Sequence, residues 1–345
     1  MLYRRRVVRS VCLLCGIDLA PLPDGRQLHP EVADCDVRTT DAWGVAVIEQ
    51  VNGVTHDEPQ QIEINTYPFV DEVLDEIFAE AKLRRLGGVS SGKGWSMFTT
   101  YQRCPYLYQM KYVKERKPAI LVESPSLAIG TLVHVFLASY YARMAAPDYP
   151  LSPEDLHDRI KAKANPTFVD EAWRVFSAYR VYYSIESILP IAIEYDLRDP
   201  RTGESCRYDL VAFFKESIAG RPPGTYVIEH KTASRFDADT LDGWVVDGEV
   251  LGQVALWKRL GLDLRFGKLQ GVIVNLLGKH KQPQFHRTLV APESWQIDSH
   301  LDDLKRWDGL IQLSKSTSSF PRARTGCIGR YGRCSWFDHC ATGEE

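Results

Sequence analysis

Three residues in this chain have the types and spacing needed to cut a phosphodiester bond. Asp209 lies in the apolar run 208–214, and Glu229-His230-Lys231 closes the next such run, 225–231. Cleavage requires neutralised phosphate charge and an activated water, and a divalent ion held by a few carboxylates supplies both. Residues i and i+2 of a strand share a face, so Glu229 and Lys231 project together. From there a lysine can stabilise the charge that builds up in the transition state. Glu-x-Lys is also a common surface pair on edge strands. Two features favour the chemical reading: Tyr226-Val227-Ile228 runs straight into the pair, and Asp209 sits inside a hydrophobic segment.

Thiolates form the second group. Cys327, Cys334 and Cys340 lie close together near the C-terminal end, with six and five residues between them, and Cys104 stands far upstream, directly before Pro105. Four thiolates can hold either Zn²⁺ or an iron–sulfur cluster. Zinc ribbons favour two close CxxC pairs, which this spacing lacks, although His339 could replace one cysteine in a zinc site. Cys12 and Cys15, with His29 and Cys35 downstream, outline a smaller zinc-binding module near the N-terminus; the alternative is four unconnected residues. Cys206 has no partner in the pattern and reads as a core thiol.

The elements that must position these groups follow from hydrophobic period and turn signals. Apolar residues at three- and four-residue spacing predict a helix over 69–79. A strand is expected over 43–51, and Gly87 to Gly94 has the composition of a flexible linker. A domain boundary is therefore expected there, giving an accessory extension over 1–92 and a main domain over 93–345. A helical region opens near Ser96, and a largely buried helix carries Gly130-Thr131-Leu132-Val133-His134. Three strands follow (189–195, 208–214, 225–231), then a helix over 251–260, strands over 271–277 and 284–290, and a helix over 292–313. Three strands, a crossover helix and a return to the sheet describe an α/β core with a mixed sheet.

Composition sets wide bounds. The chain has 345 residues and a formal net charge of −3, so binding to nucleic acid would require a locally basic groove. No run approaches the roughly 20 apolar residues of a membrane span. The basic start Met1 to Arg6 resembles a signal sequence, but the apolar stretch after it is short and broken by Arg9, and it reads as non-secretory. Eight cysteines in an intracellular, cytoplasmic chain point to metal or redox chemistry more than to disulfides.

Six features in order resemble the PD-(D/E)xK nucleases, in particular their RecB-like branch and its CRISPR-associated iron–sulfur members, across residues 96–340. They are Arg103-Cys104-Pro105, Gly130 to His134, Asp209 after Tyr208, Glu229-His230-Lys231, Gln253 to Trp257, and the cysteines Cys327, Cys334 and Cys340. The resemblance implies a restriction-endonuclease-like mixed sheet flanked by helices, with a helical insertion. It implies Mg²⁺ or Mn²⁺ held by His134, Asp209, Glu229 and the main-chain carbonyl of His230. Asp209, Glu229, Lys231 and Gln253 become the catalytic set, and Cys104, Cys327, Cys334 and Cys340 hold a [4Fe–4S] cluster. Gln253, Trp257, Arg330 and Arg333 become substrate contacts. Trp257 stands where the family has tyrosine; it keeps a stacking face but loses the hydroxyl. Glu194, at the end of the preceding strand, is either a further ligand or a surface carboxylate. Basic residues for a strand-binding groove are Lys111, Lys114, Arg116, Lys117, Lys258, Arg259, Lys279, Lys281, Arg322 and Arg324.

The expected function is a single-strand-preferring DNA exonuclease of recombination, repair or CRISPR adaptation, working with a helicase, recombinase or integrase partner and not with a membrane. The competing readings are a catalytically silent DNA-binding subunit and a structural zinc protein.

Overall fold

The computed structural model describes residues 20–21, 27–28, 67–85, 93–116, 123–184, 186–218, 220, 222–234, 236–329 and 332–343. The chain divides into two units, Met1–Glu63 and Ile64–Glu345. In the first unit the described residues form one short antiparallel ladder, Ala20–Pro21 with Gln27–Leu28. The expected zinc module at Cys12, Cys15, His29 and Cys35, and the strand over 43–51, lie outside the described residues.

The division falls upstream of the boundary expected at 92. Helix α1 (Val70–Glu80) is the reason. Its apolar face, Val70, Val73, Leu74, Ile77 and Phe78, is fully buried in the core of the larger unit. Apolar surface removed from water outweighs the glycine-rich composition of the segment that follows.

Five strands form one mixed sheet: β1 (Ile188–Arg198), β2 (Ser205–Phe214), β3 (Gly224–Ala233), β4 (Leu269–Gly278) and β5 (Phe285–Val290), in that spatial order. All pairs are antiparallel except β3 with β4. That parallel pair needs a crossover, and the chain between the two strands includes the helix α6 described below. The α/β mixed sheet matches the sequence expectation.

Helices cover both faces. On one lie α3 (Pro125–Ala145), α4 (Pro153–Lys161) and α5 (Pro166–Tyr182), packed with α1 over Leu210, Ala212, Tyr226 and Ile228. Helix α3 is apolar almost all round, and it is long and apolar enough to cross a membrane by composition alone; over half of that window is buried inside the protein. An all-round apolar helix of this kind is a core helix. On the other face lies α6 (Gly248–Arg259), whose N-cap Asp247 accepts the N–H groups of Glu249 and Val250.

A third, smaller core joins α2 (Trp95–Arg103) to α7 (Ser294–Ser316) through Met97, Phe98, Tyr101, Leu304 and Ile311. The Tyr101 hydroxyl reinforces it, 2.7 Å from Ser314 Oγ. Helix α2 stops at Cys104 because Pro105 disfavours helical backbone in the residue before it: Cys104 is extended, at φ −165° and ψ 110°.

Candidate active site

The sheet brings Asp209 and Glu229 together at the point where two strands part. The β2–β3 ladder runs from Phe214–Gly224 to Leu210–Ile228. One residue further on, the Asp209 carboxylate takes the place of a main-chain acceptor and receives the His230 N–H at 2.7 Å. His134, from α3, reaches the same carboxylate with Nδ1 3.5 Å away. Glu194 of β1 completes the group: ligand atoms of His134, Glu194 and Asp209 all lie within 4.8 Å of one another. Glu194 is buried and has φ +46°, a left-handed backbone that is costly for a residue with a side chain. The sequence left its role open; the fold places it beside the histidine and the first acid.

Alternation along β3 separates the Glu-His-Lys triplet as expected. Glu229 and Lys231 face α6, and Lys231 Nζ donates to Glu229 at 2.6 Å. His230 points to the other face, where its ring stacks on Tyr141 and its Nδ1 is 2.8 Å from Asn275 Nδ2. Arg287 donates to Asn275 Oδ1, which orients that amide. The His230 side chain is therefore a packed core group, and only its main chain runs beside Asp209.

Two residues of α6 hold the Glu229–Lys231 pair. Gln253 Nε2 donates to Glu229 at 2.6 Å, while its own Oε1 is buried without a partner among the described residues. Leaving that oxygen unpaired costs free energy, and the helix accepts the cost with the carboxylate fixed. Glu249, which the sequence reading missed, accepts from Lys231 at 2.8 Å. Its only sequence signal is an acidic residue one turn before Gln253.

Charge at the site is crowded. Burial, then the neighbouring Asp209 charge, pushes Glu229 up to about 8 despite Lys231. Burial opposes the charged Lys231, but Glu229, Glu249 and Asp209 outweigh it and hold its ammonium well above its ordinary range. Burial likewise opposes charge on His134, and Asp209 reverses it, to about 9. For Asp209, burial acts to raise the pKa, yet His134, His230 and Lys231 bring it well below the usual carboxylate range. Glu194, Asp209, Glu229 and Glu249 meet Lys231, His134 and Arg207, the last 3.8 Å from Glu194, and a divalent cation would favour the ionised form of Glu229. The donor set of one imidazole nitrogen and several carboxylate oxygens suits Mg²⁺ or Mn²⁺.

Other nominated residues fall elsewhere. Trp257 is a correction: its side chain is 0% exposed, packed in the core beneath α6 with its indole N–H donated to Asp263 at 2.6 Å. The residues it packs against, Tyr208 and Phe266, leave no face for a base. Gln253 is buried behind Glu229 and meets the carboxylate, not solvent. Arg333 is exposed, ion-paired to Asp338 at 3.0 Å and stacked on Phe337. Arg259 is committed to Asp199 and Glu204. Lys111 and Lys279 do line the cavity above the carboxylates. Arg330 and Lys117 lie outside the described residues.

The four nominated cysteines share one neighbourhood. Burial raises the Cys340 thiol, Arg322 opposes this, and Cys104, Cys334 and Cys327 each raise it further. The distant residue is brought in by close main-chain packing. Arg103 Nε donates to the Gly326 carbonyl at 3.0 Å, and a Cβ on Gly326 would lie 2.7 Å from the Arg103 oxygen. Only glycine permits that approach. The Cys334 N–H donates to Cys327 O at 2.8 Å. His339 Nε2 is 2.7 Å from the Tyr106 hydroxyl, so that nitrogen already has a partner.

Residues 95–235, a stretch that includes His134, Asp209 and Glu229-His230-Lys231, match the family model of the PD-(D/E)XK nuclease superfamily. A similar solved structure is that of a protein from Eubacterium rectale named "Putative exonuclease". It is 12% identical, with a TM-score of 0.41 over 73% of this chain and 88% of that one. No curated protein matches the chain.

Proposed function

We propose that this protein is a metal-dependent nuclease that hydrolyses phosphodiester bonds in DNA. The observation that carries the reading is one cavity of about 850 Å³ lined by His134, Glu194, Asp209, Glu229 and Lys231, with Gln253 behind Glu229. His134, Glu194, Asp209 and Glu229 would hold Mg²⁺ or Mn²⁺, with the His230 carbonyl as the family resemblance implies. The ion supplies phosphate neutralisation and a nucleophilic water. Lys231, kept protonated by two carboxylates, presents positive charge toward the phosphate. Gln253 fixes the Glu229 carboxylate, and Asp209 is fixed by the His230 N–H and His134. These groups are oriented before substrate arrives, so little reorganisation is needed during reaction.

Cys104, Cys327, Cys334 and Cys340 would hold a [4Fe–4S] cluster whose role is to tie the end of α2 to the C-terminal segment. The ordered match of motifs supports a RecB-like, CRISPR-associated or repair nuclease acting from strand ends, beside a helicase, recombinase or integrase. A single-stranded substrate fits the same reading, because Lys111 and Lys279 on the cavity lining can track one phosphate backbone.

The test is cleavage of end-labelled single strands and duplexes by protein purified without oxygen. Activity is expected with Mg²⁺ or Mn²⁺ and none in excess chelator, and Lys231→Ala should lose about 10²–10³-fold in kcat while still binding DNA. Full activity in chelator, or in the Lys231 variant, overturns the reading. The same preparation should contain iron and sulfide; stoichiometric zinc without iron would remove the cluster assignment.

A further inference from the structure

The cavity is larger than a metal ion and one phosphate require, and its lining is not all polar. It carries Trp95, partly exposed at the start of α2, and Leu127, 70% exposed in the first turn of α3. Exposed apolar groups in the same cavity as the carboxylates suggest an apolar ligand surface.

The indole is held in place from behind. It lies on the first turn of α6 at Gly248, where an added Cβ would sit 2.2 Å from the ring, so no side chain other than glycine's is tolerated there. His300 of α7 meets it at 5.5 Å between ring centroids and 52°. The residue after Gly248 is Glu249, which binds Lys231. Adjacent residues of α6 thus pack against the Trp95 indole and accept from Lys231. That brings the ring within reach of a base attached to the phosphate being cut.

Resting on the nuclease reading above, we propose that Trp95 is the base-stacking subsite of this enzyme: the unpaired base next to the scissile phosphate lies on the indole. Trp95 takes the role that the sequence offered to Trp257, which is buried. A stacked base is selected for being unpaired, not for its identity, because every base has a π-face.

The test uses the full chain in excess chelator, so that binding is measured without cleavage. Labelled single-stranded oligodeoxynucleotides carry one abasic site moved along the strand, and affinity is read by fluorescence anisotropy. One abasic position should weaken binding to the wild type by about 5- to 100-fold, the span of base–aromatic stacking. In Trp95→Leu, intact strand should bind with a similar loss and the abasic penalty should vanish, while Trp95→Tyr keeps most of both. A wild-type protein indifferent to every abasic position, or a penalty that survives in Trp95→Leu, overturns the subsite. Should Trp95→Leu fail to fold, photo-crosslinking of a 5-iodouracil strand to the wild type decides: attachment at Trp95 supports the subsite, and attachment only elsewhere removes it. Binding that follows this pattern in a protein that never cleaves with Mg²⁺ or Mn²⁺ would sink the nuclease reading and leave the subsite standing.

Discussion

The sheet and the cysteine-bearing flank are held together by different means. The sheet carries apolar layers on both faces, and the carboxylates lie where its ladder opens. The flank, built from α2, α7 and the segment around Cys327, rests on a small core of six buried side chains and a few single hydrogen bonds. The proposed catalytic groups sit on the sheet, while the wall that would receive the strand belongs partly to the weaker flank. A covalent or metal tie from Cys104 to Cys327 spans more than two hundred residues, so it restricts the unfolded chain strongly. The flank is where such a tie has most to contribute.

The largest effect should come from cutting into the sheet's core. A chain starting near Val89 loses α1 and with it five fully buried apolar side chains, each contributing roughly 1.5–3 kcal/mol. It is expected to be insoluble, whereas a chain starting at Ile64 should fold and keep activity. A soluble, two-state unit from Val89 would show that α1 belongs to neither region.

Next in size is loss of the proposed tie. Cys327→Ser should cost on the order of 2–4 kcal/mol, by analogy with other long-loop cross-links. Hydrogen exchange should rise across residues 95–113 and 324–342 and stay slow in β2, β3 and β4. Uniform acceleration throughout would mean that the two regions unfold as one.

Gln253→Ala probes the sheet side. It removes the hydrogen bond to Glu229 together with the unpaired Oε1, so thermal stability should change little. Metal affinity or kcat should fall about 10- to 100-fold, as for other residues that orient a ligand. A large loss of stability with normal kinetics would reverse the assignment.

The smallest effect concerns Asp199, at the β1–β2 turn. The Arg201 N–H is the main cause of its lowered pKa; burial opposes the shift, and the Arg201 and Arg259 side chains add to it. A carboxyl lowered in the folded state stabilises above its unfolded pKa of about 3.9, and that contribution fades as pH falls through the lower folded value. Asp199→Asn should therefore be less stable than wild type at pH 6, with the gap narrowing toward pH 3, as read by urea denaturation. A gap that is constant with pH would mean that the charge is not what matters.

The sequence by itself determined the strand–strand–strand–helix–strand order, the shared face of Glu229 and Lys231, and the residues that carry the nuclease resemblance. Those are properties of local period and of residue type, and period two fixes which side chains travel together. It also marked Cys104 by the proline that follows, since that dipeptide breaks a helix wherever it occurs. Only the tertiary structure decided what lies across from what. Trp257 and Trp95 are both tryptophans on helices; one is buried because its face of α6 meets the sheet, and the other stays partly open because Gly248 seats it at the rim. Glu194 joins His134 through a left-handed residue that no alternation pattern anticipates, and Glu249 finds Lys231 from a helix eighteen residues away. Helix α1 was legible as amphipathic, but the surface its apolar stripe would cover was not. Which buried surfaces meet depends on long-range packing, and packing is a property of the whole chain.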